Sequence, residues 1–150
     1  MRLMEFKEKT VVITGGASGI GKAAARKFAS KGAQVVIMDW NMKAAVETAE
    51  IITASGGSSM ALGADVSDEE QVKQAFAKII EQYSRIDVLV NNCGVIMPKT
   101  IEFTSADEWD RIFRINTRSV FLCSKYALGE LKKTKGKIIN LASMNGLIGQ

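Results

Sequence analysis

The chain has 150 residues, 47% of them hydrophobic and only one proline, which suits a single domain with a sizeable core and leaves no disordered tract. Its net charge is +4, but the lysines and arginines are spread along helical stretches, so no nucleic-acid partner is expected. There is no histidine, which excludes Ser-His and Cys-His triads, and Cys93 and Cys123 lack metal-ligand spacing. Free buried thiols and no metal site are therefore expected.

The opening MRLMEFKEK carries charges with no apolar run behind them, so neither a signal peptide nor a membrane span fits, and a cytoplasmic protein is expected. A strand over residues 10–14 leads through a glycine-rich turn into a helix over 20–30, with Gly32 just past its end. A second strand over 34–38 precedes a helix over 43–54 that stops at Gly56-Gly57. The third strand covers 59–63, and the helix over 68–83 opens on a capping box, Ser67-Asp68-Glu69-Glu70. A fourth strand spans 87–91. A second capping box, Ser105-Ala106-Asp107-Glu108, starts one long helix over 106–132, and a fifth strand follows at 137–141. Short Val/Ile/Leu-rich strands alternating with helices predict an α/β fold, a doubly wound parallel sheet covered on both faces. Residues 1–150 read as a single Rossmann-type domain without repeat or linker.

The segment Thr14-Gly15-Gly16-Ala17-Ser18-Gly19-Ile20-Gly21 joins a strand to a helix with glycines where side chains would obstruct a phosphate. Gly16, Gly21 and Lys22 also match most of a P-loop. Ala23, however, stands where a P-loop needs Ser or Thr for magnesium. Asp39 closes the second strand where a carboxylate would accept both ribose hydroxyls of NAD and repel the 2′-phosphate of NADP. No basic residue at Ala17 or Ser18 offsets that repulsion, so NAD is expected over NADP. The alternative for Asp39 is a strand-end turn residue.

Together these motifs resemble the short-chain dehydrogenase/reductase family, from about Lys7 to the final residue. The TGxxxGxG spacing of residues 14–21 is similar to the family's cofactor loop. Asp65-Val66 resembles the pair that reads the adenine ring, and Asn91-Asn92-Cys93-Gly94 resembles the family's NNAG with cysteine for alanine. The resemblance implies cofactor contacts at Thr14, Gly15, Ser18, Gly19, Ile20, Gly21, Asp39, Asp65, Val66, Asn92 and Gly94. It also implies a catalytic Asn116, which helps hold a water in a proton relay, and a catalytic Ser143, which hydrogen-bonds the substrate oxygen. The expected order of the sheet is 3-2-1-4-5.

The resemblance further implies hydride transfer between a nicotinamide and a small-molecule alcohol or carbonyl. The family's general acid, the tyrosine of Tyr-x-x-x-Lys, is not supplied by Tyr83, followed four residues on by Asp87, or by Tyr126, followed by Glu130. A chain ending at Gln150 is expected to lack that motif and to leave its fifth strand as an open edge. Trp109, Ile112, Phe113, Val120 and Phe121 on the long helix suit core packing or, as in the family, a subunit interface, so a homo-oligomer is expected. A non-catalytic NAD-binding module and an oligomerising fragment are the alternatives to an enzyme.

Overall fold

Five runs of β-branched and aliphatic residues become strands in the computed structural model, which describes residues 5–143. The strands are β1 (Thr10–Thr14), β2 (Gln34–Asp39), β3 (Ser58–Gly63), β4 (Val88–Asn91) and β5 (Lys137–Asn140). All pairings are parallel, and the order β3-β2-β1-β4-β5 is the expected one. Helices α1 (Gly19–Ser30) and α2 (Met42–Ala54) cover one face, while α3 (Glu69–Tyr83) and α5 (Ser119–Thr134) cover the other.

Successive side chains of a strand point to opposite faces, and here both directions are apolar. Val11, Ile13, Val35 and Ile37 join the core under α1 and α2. Val12, Val36 and Met38 join the core under α3 and α5 with Phe76, Ile79 and Leu122. Two-sided burial is why β1, β2 and β4 read as hydrophobic runs, each buried valine or isoleucine contributing about 1.5–3 kcal/mol, whereas all four residues of β5 are exposed.

Two local expectations need correction. The cap of α3 is Asp68, not Ser67: its Oδ1 accepts the N–H groups of Glu70 and Gln71. Ser67 is instead turned back, donating its N–H and hydroxyl to Asp65 Oδ1, both at 2.8 Å. The second capping box is present as expected, with Ser105 and Glu108 bonded reciprocally.

The helix expected over 106–132 is not one regular piece. It divides into α4 (Ala106–Phe113), a π-turn (Arg114–Arg118) and α5. The widened turn fits its residues: Ile115 and Thr117 are β-branched, the Ser119 hydroxyl donates back to the Ile115 carbonyl, and Asn116 is held from outside the helix. Core packing also fails for three of its aromatic residues, since Trp109, Phe113 and Phe121 are all exposed; Leu122, Cys123, Ala127 and Leu131 fill the core instead.

At the amino ends of the strands, the carboxylate of buried Asp87 accepts a two-point bond from Arg85, at 2.8 and 2.7 Å, and the Thr10 N–H at 2.9 Å. Burial acts to raise its pKa, but the Arg85 hydrogen bonds and the Thr10 N–H outweigh burial and hold it below the usual carboxylate value. A depressed folded-state pKa adds stability above the unfolded value, lost as pH falls through the folded one. Asp87→Ala is expected to lower stability by about 2 kcal/mol at neutral pH, because it leaves the Thr10 N–H buried without a partner. In urea titrations the gap to wild type should narrow below about pH 4; a gap that widens in acid would contradict this account.

Candidate functional site

The chain after β1 turns to one face of the sheet and the chain after β4 to the other, which opens a crevice between their carboxyl ends. Thr14 and Asn92 join the two strands there. The Thr14 hydroxyl accepts the N–H groups of Asn92 and Cys93, each at 3.1 Å. The Asn92 amide donates to the carbonyls of Thr14 and Gly15, each at 3.0 Å.

Gly15 has φ of +63°, and a Cβ on it would meet the Cys93 backbone at 3.0 Å. At Gly21, in the first turn of α1, a Cβ would overlap the Gly15 carbonyl oxygen and approach Asn92 Nδ2 to 2.5 Å. Helix and loop thus touch backbone to backbone. The outer side of the loop is open: nothing lies within 4 Å of a Cβ built on Gly19, and Ser18, at the N-cap of α1, makes no side-chain cap. The first N–H groups of α1 are left facing outward without a side-chain acceptor, as an anion site requires.

Asp39, at the end of β2 and 7% exposed, is held by two backbone donors, Ala17 N–H at 3.1 Å and Asn41 N–H at 3.0 Å. It is therefore a strand-end turn residue and a cleft-facing carboxylate at once. After β3, Asp65 is exposed and orders the Asp65–Ser67 turn, while Val66 buries its side chain and brings its backbone to the wall.

These groups line one cleft of about 620 Å³. Gly15, Ser18, Gly19, Ile20, Asp39, Asp65, Val66, Asn92 and Gly94 all border it, whereas Thr14 and Gly21 stand behind its wall as packing residues. Among the lining residues that the motif reading missed, three carry a large aromatic or charged side chain. Trp40 is 79% exposed beside Asp39, and Arg111 and Arg114 reach the cleft from α4 and the π-turn. The residue after a strand-end aspartate and the i, i+3 spacing of the arginines were the available signals.

Asn116 lies on the π-turn, its Nδ2 donating to the Val95 carbonyl and its Oδ1 accepting the Val95 N–H, both at 2.8 Å. It anchors the chain leaving the cleft. At the end of β5, Asn91 Nδ2 donates to Asn140 Oδ1 at 2.8 Å and the Leu141 N–H donates to the Asn91 carbonyl. That ladder carries exposed Ser143 out at the same end of the sheet.

Residues 9–150 match the family described as short chain dehydrogenase. The chain belongs to that family. A meso-2,3-butanediol dehydrogenase of Serratia marcescens is 44% identical over 97% of this chain and 57% of its own length. A cyclopentanol dehydrogenase of Comamonas testosteroni is 38% identical over 95% of the chain and 57% of its own length. In structure, a citronellol catabolism dehydrogenase of Pseudomonas aeruginosa superposes with a TM-score of 0.90 at 34% identity, covering 97% of this chain and 61% of that one. The chain thus spans about 57% of the curated relatives it matches.

The cysteine of Asn-Asn-Cys-Gly is half-buried in the cleft wall, not fully buried as expected. Burial, with the Asp39 and Asp65 carboxylates adding to it, pushes the Cys93 thiol up to about 11, and burial pushes Cys123 to about 12. Both are protonated at neutral pH and suited to packing, not nucleophilic attack.

Gly21→Ala is expected to destabilise the protein by about 1–3 kcal/mol through overpacking. Gly19→Ala, which meets no atoms but keeps φ at +50°, should cost about 1–2 kcal/mol through backbone strain alone. Thermal unfolding of both variants checks the ranking, and an equal or smaller loss for Gly21→Ala would remove the close-contact explanation.

Proposed function

We propose that this chain forms the dinucleotide-binding part of an oxidoreductase that transfers hydride between a nicotinamide cofactor and a small alcohol or carbonyl, with NAD preferred over NADP. The observation that carries the reading is the cleft itself: an uncapped helix amino terminus, an open glycine loop and a fixed carboxylate at the switch point of a parallel sheet. The bound cofactor would supply the hydride donor or acceptor.

The chain's own residues divide the remaining work. The Ser18–Ile20 backbone takes the pyrophosphate, Asp39 accepts from the ribose hydroxyls, and Asp65 with the Val66 backbone meets the adenine. Gly15, Asn92 and Gly94 leave room along the floor. Ser143 binds the reacting oxygen, and Asn116 fixes Val95 and its π-turn beside the proton path. Neither tyrosine of the described residues borders the cleft, and Tyr126 donates its hydroxyl to Glu69, so neither serves as the general acid. Names of relatives, for butanediol and cyclopentanol, favour a small secondary alcohol as substrate.

Calorimetric titration should give NAD binding at least about tenfold tighter than NADP, because the 2′-phosphate would approach the Asp39 carboxylate. Asp39→Asn, which removes charge and keeps an acceptor, should narrow the ratio. Tighter NADP binding by wild type would reject the preference. In the protein carrying the full reading frame, NAD reduction with 2,3-butanediol or cyclopentanol tests the reaction.

Exposed Trp109, Phe113 and Phe121 on α4 and α5 support self-association of the chain. Sedimentation should give a species larger than the 16.3 kDa chain; a monomer at all concentrations would reject it.

A further inference from the structure

Among the described residues, Arg118 and Arg114 lie one turn apart, with Arg111 nearly a turn before, and only Arg118 is committed. Arg118 Nη1 donates to the Ser67 carbonyl at 3.0 Å and Nη2 lies 3.5 Å from Glu69 Oε2, which fixes this side of the helix against the turn that follows β3. Arg111 and Arg114 line the cleft, yet neither side chain makes a hydrogen bond or ion pair among the described residues. Arg114 also borders a shallow surface hollow with Asp107 and Asp110 without pairing to either. Two charged side chains thus stand on a cleft wall with no protein partner.

Their place in the cleft narrows what they meet. Phosphates are provided for at the first turn of α1, which is uncapped. The arginines line the same cleft as Trp40, Asp65, Val66 and Ser67, and Arg118, four residues after Arg114, is bonded to the Ser67 carbonyl. A planar guanidinium stacks on aromatic faces and remains charged at any working pH. Resting on the dinucleotide reading above, we propose that Arg111 and Arg114 form a guanidinium wall that takes the adenine ring of the cofactor by stacking.

The test uses AMP, which carries the adenosine half alone, alongside NAD, by calorimetry and by quenching of tryptophan fluorescence in a Trp109→Phe background where Trp40 is the reporter. Arg114→Ala should weaken both ligands about fivefold, and the Arg111→Ala/Arg114→Ala double variant further. Melting temperatures should stay at the wild-type value, because neither side chain holds any other part of the protein. Arg114→Lys keeps the charge and loses the plane, so it should recover less than half of the lost affinity. Full recovery by lysine would overturn stacking in favour of plain charge attraction. Unchanged affinities in all variants, with wild type binding AMP and NAD, would overturn this assignment alone. A wild-type chain that binds neither ligand would overturn the dinucleotide reading and this assignment with it.

Discussion

Everything at the carboxyl ends of the strands depends on how closely two pieces of backbone meet, the turn after β1 and the first residues after β4. Thr14 and Asn92 hold them with four hydrogen bonds between 3.0 and 3.1 Å, and Gly21 lets α1 settle onto the Gly15 carbonyl. The chain leaves β1 and β4 for opposite faces of the sheet, and these contacts hold the crevice that results. Thr14 is nevertheless remote from the cleft surface. Its position in a cofactor motif reflects the wall it builds, and the same is true of Gly21.

The cleft balances charge without pairing it. Asp39 and Asp65 stand on the sheet side, Arg111 and Arg114 on the helix side, with no ion pair between them. Asp39 stays ordered because backbone N–H groups hold it, so its carboxylate needs no cation to fix it in the cleft wall. Carboxylate and guanidinium groups are both left open to a ligand.

The positions of β1, β2 and β4 were legible in the sequence because burial on both faces demands apolar runs, and β1 matches to the residue; β5 was legible from Ile138-Ile139 although its residues are exposed. The glycine loop was legible for a similar reason, each glycine answering a local steric demand. Less visible were features set by distant contacts. The π-turn exists because Val95, twenty-one residues before Asn116, pulls on the helix from outside, and no 3.6-residue pattern records that. Asp68 displaced Ser67 as a cap because Asp65 claimed the serine, a competition among near neighbours that a capping-box spacing does not register. Trp40, Arg111 and Arg114 belong to no motif; only the approach of α4 to the β3 end makes them neighbours of one cavity.

The link between α3 and α5 follows the same logic. Glu69 Oε1 accepts from Lys125 at 2.8 Å and from the Tyr126 hydroxyl at 3.0 Å, while Arg118 spans Glu69 and the Ser67 carbonyl. The hydrogen bonds from Lys125 and Tyr126 hold the Glu69 carboxyl below its usual pKa, so it stays charged across the neutral range. These groups are largely exposed, and exposed ion pairs contribute little to stability. Their effect is geometric. Lys125 and Tyr126 tie α5 to the first residue of α3, and Arg118 ties the π-turn that carries Asn116 to the Ser67 carbonyl. The π-turn is thereby held on two sides, by Ser67 through Arg118 and by Val95 through Asn116.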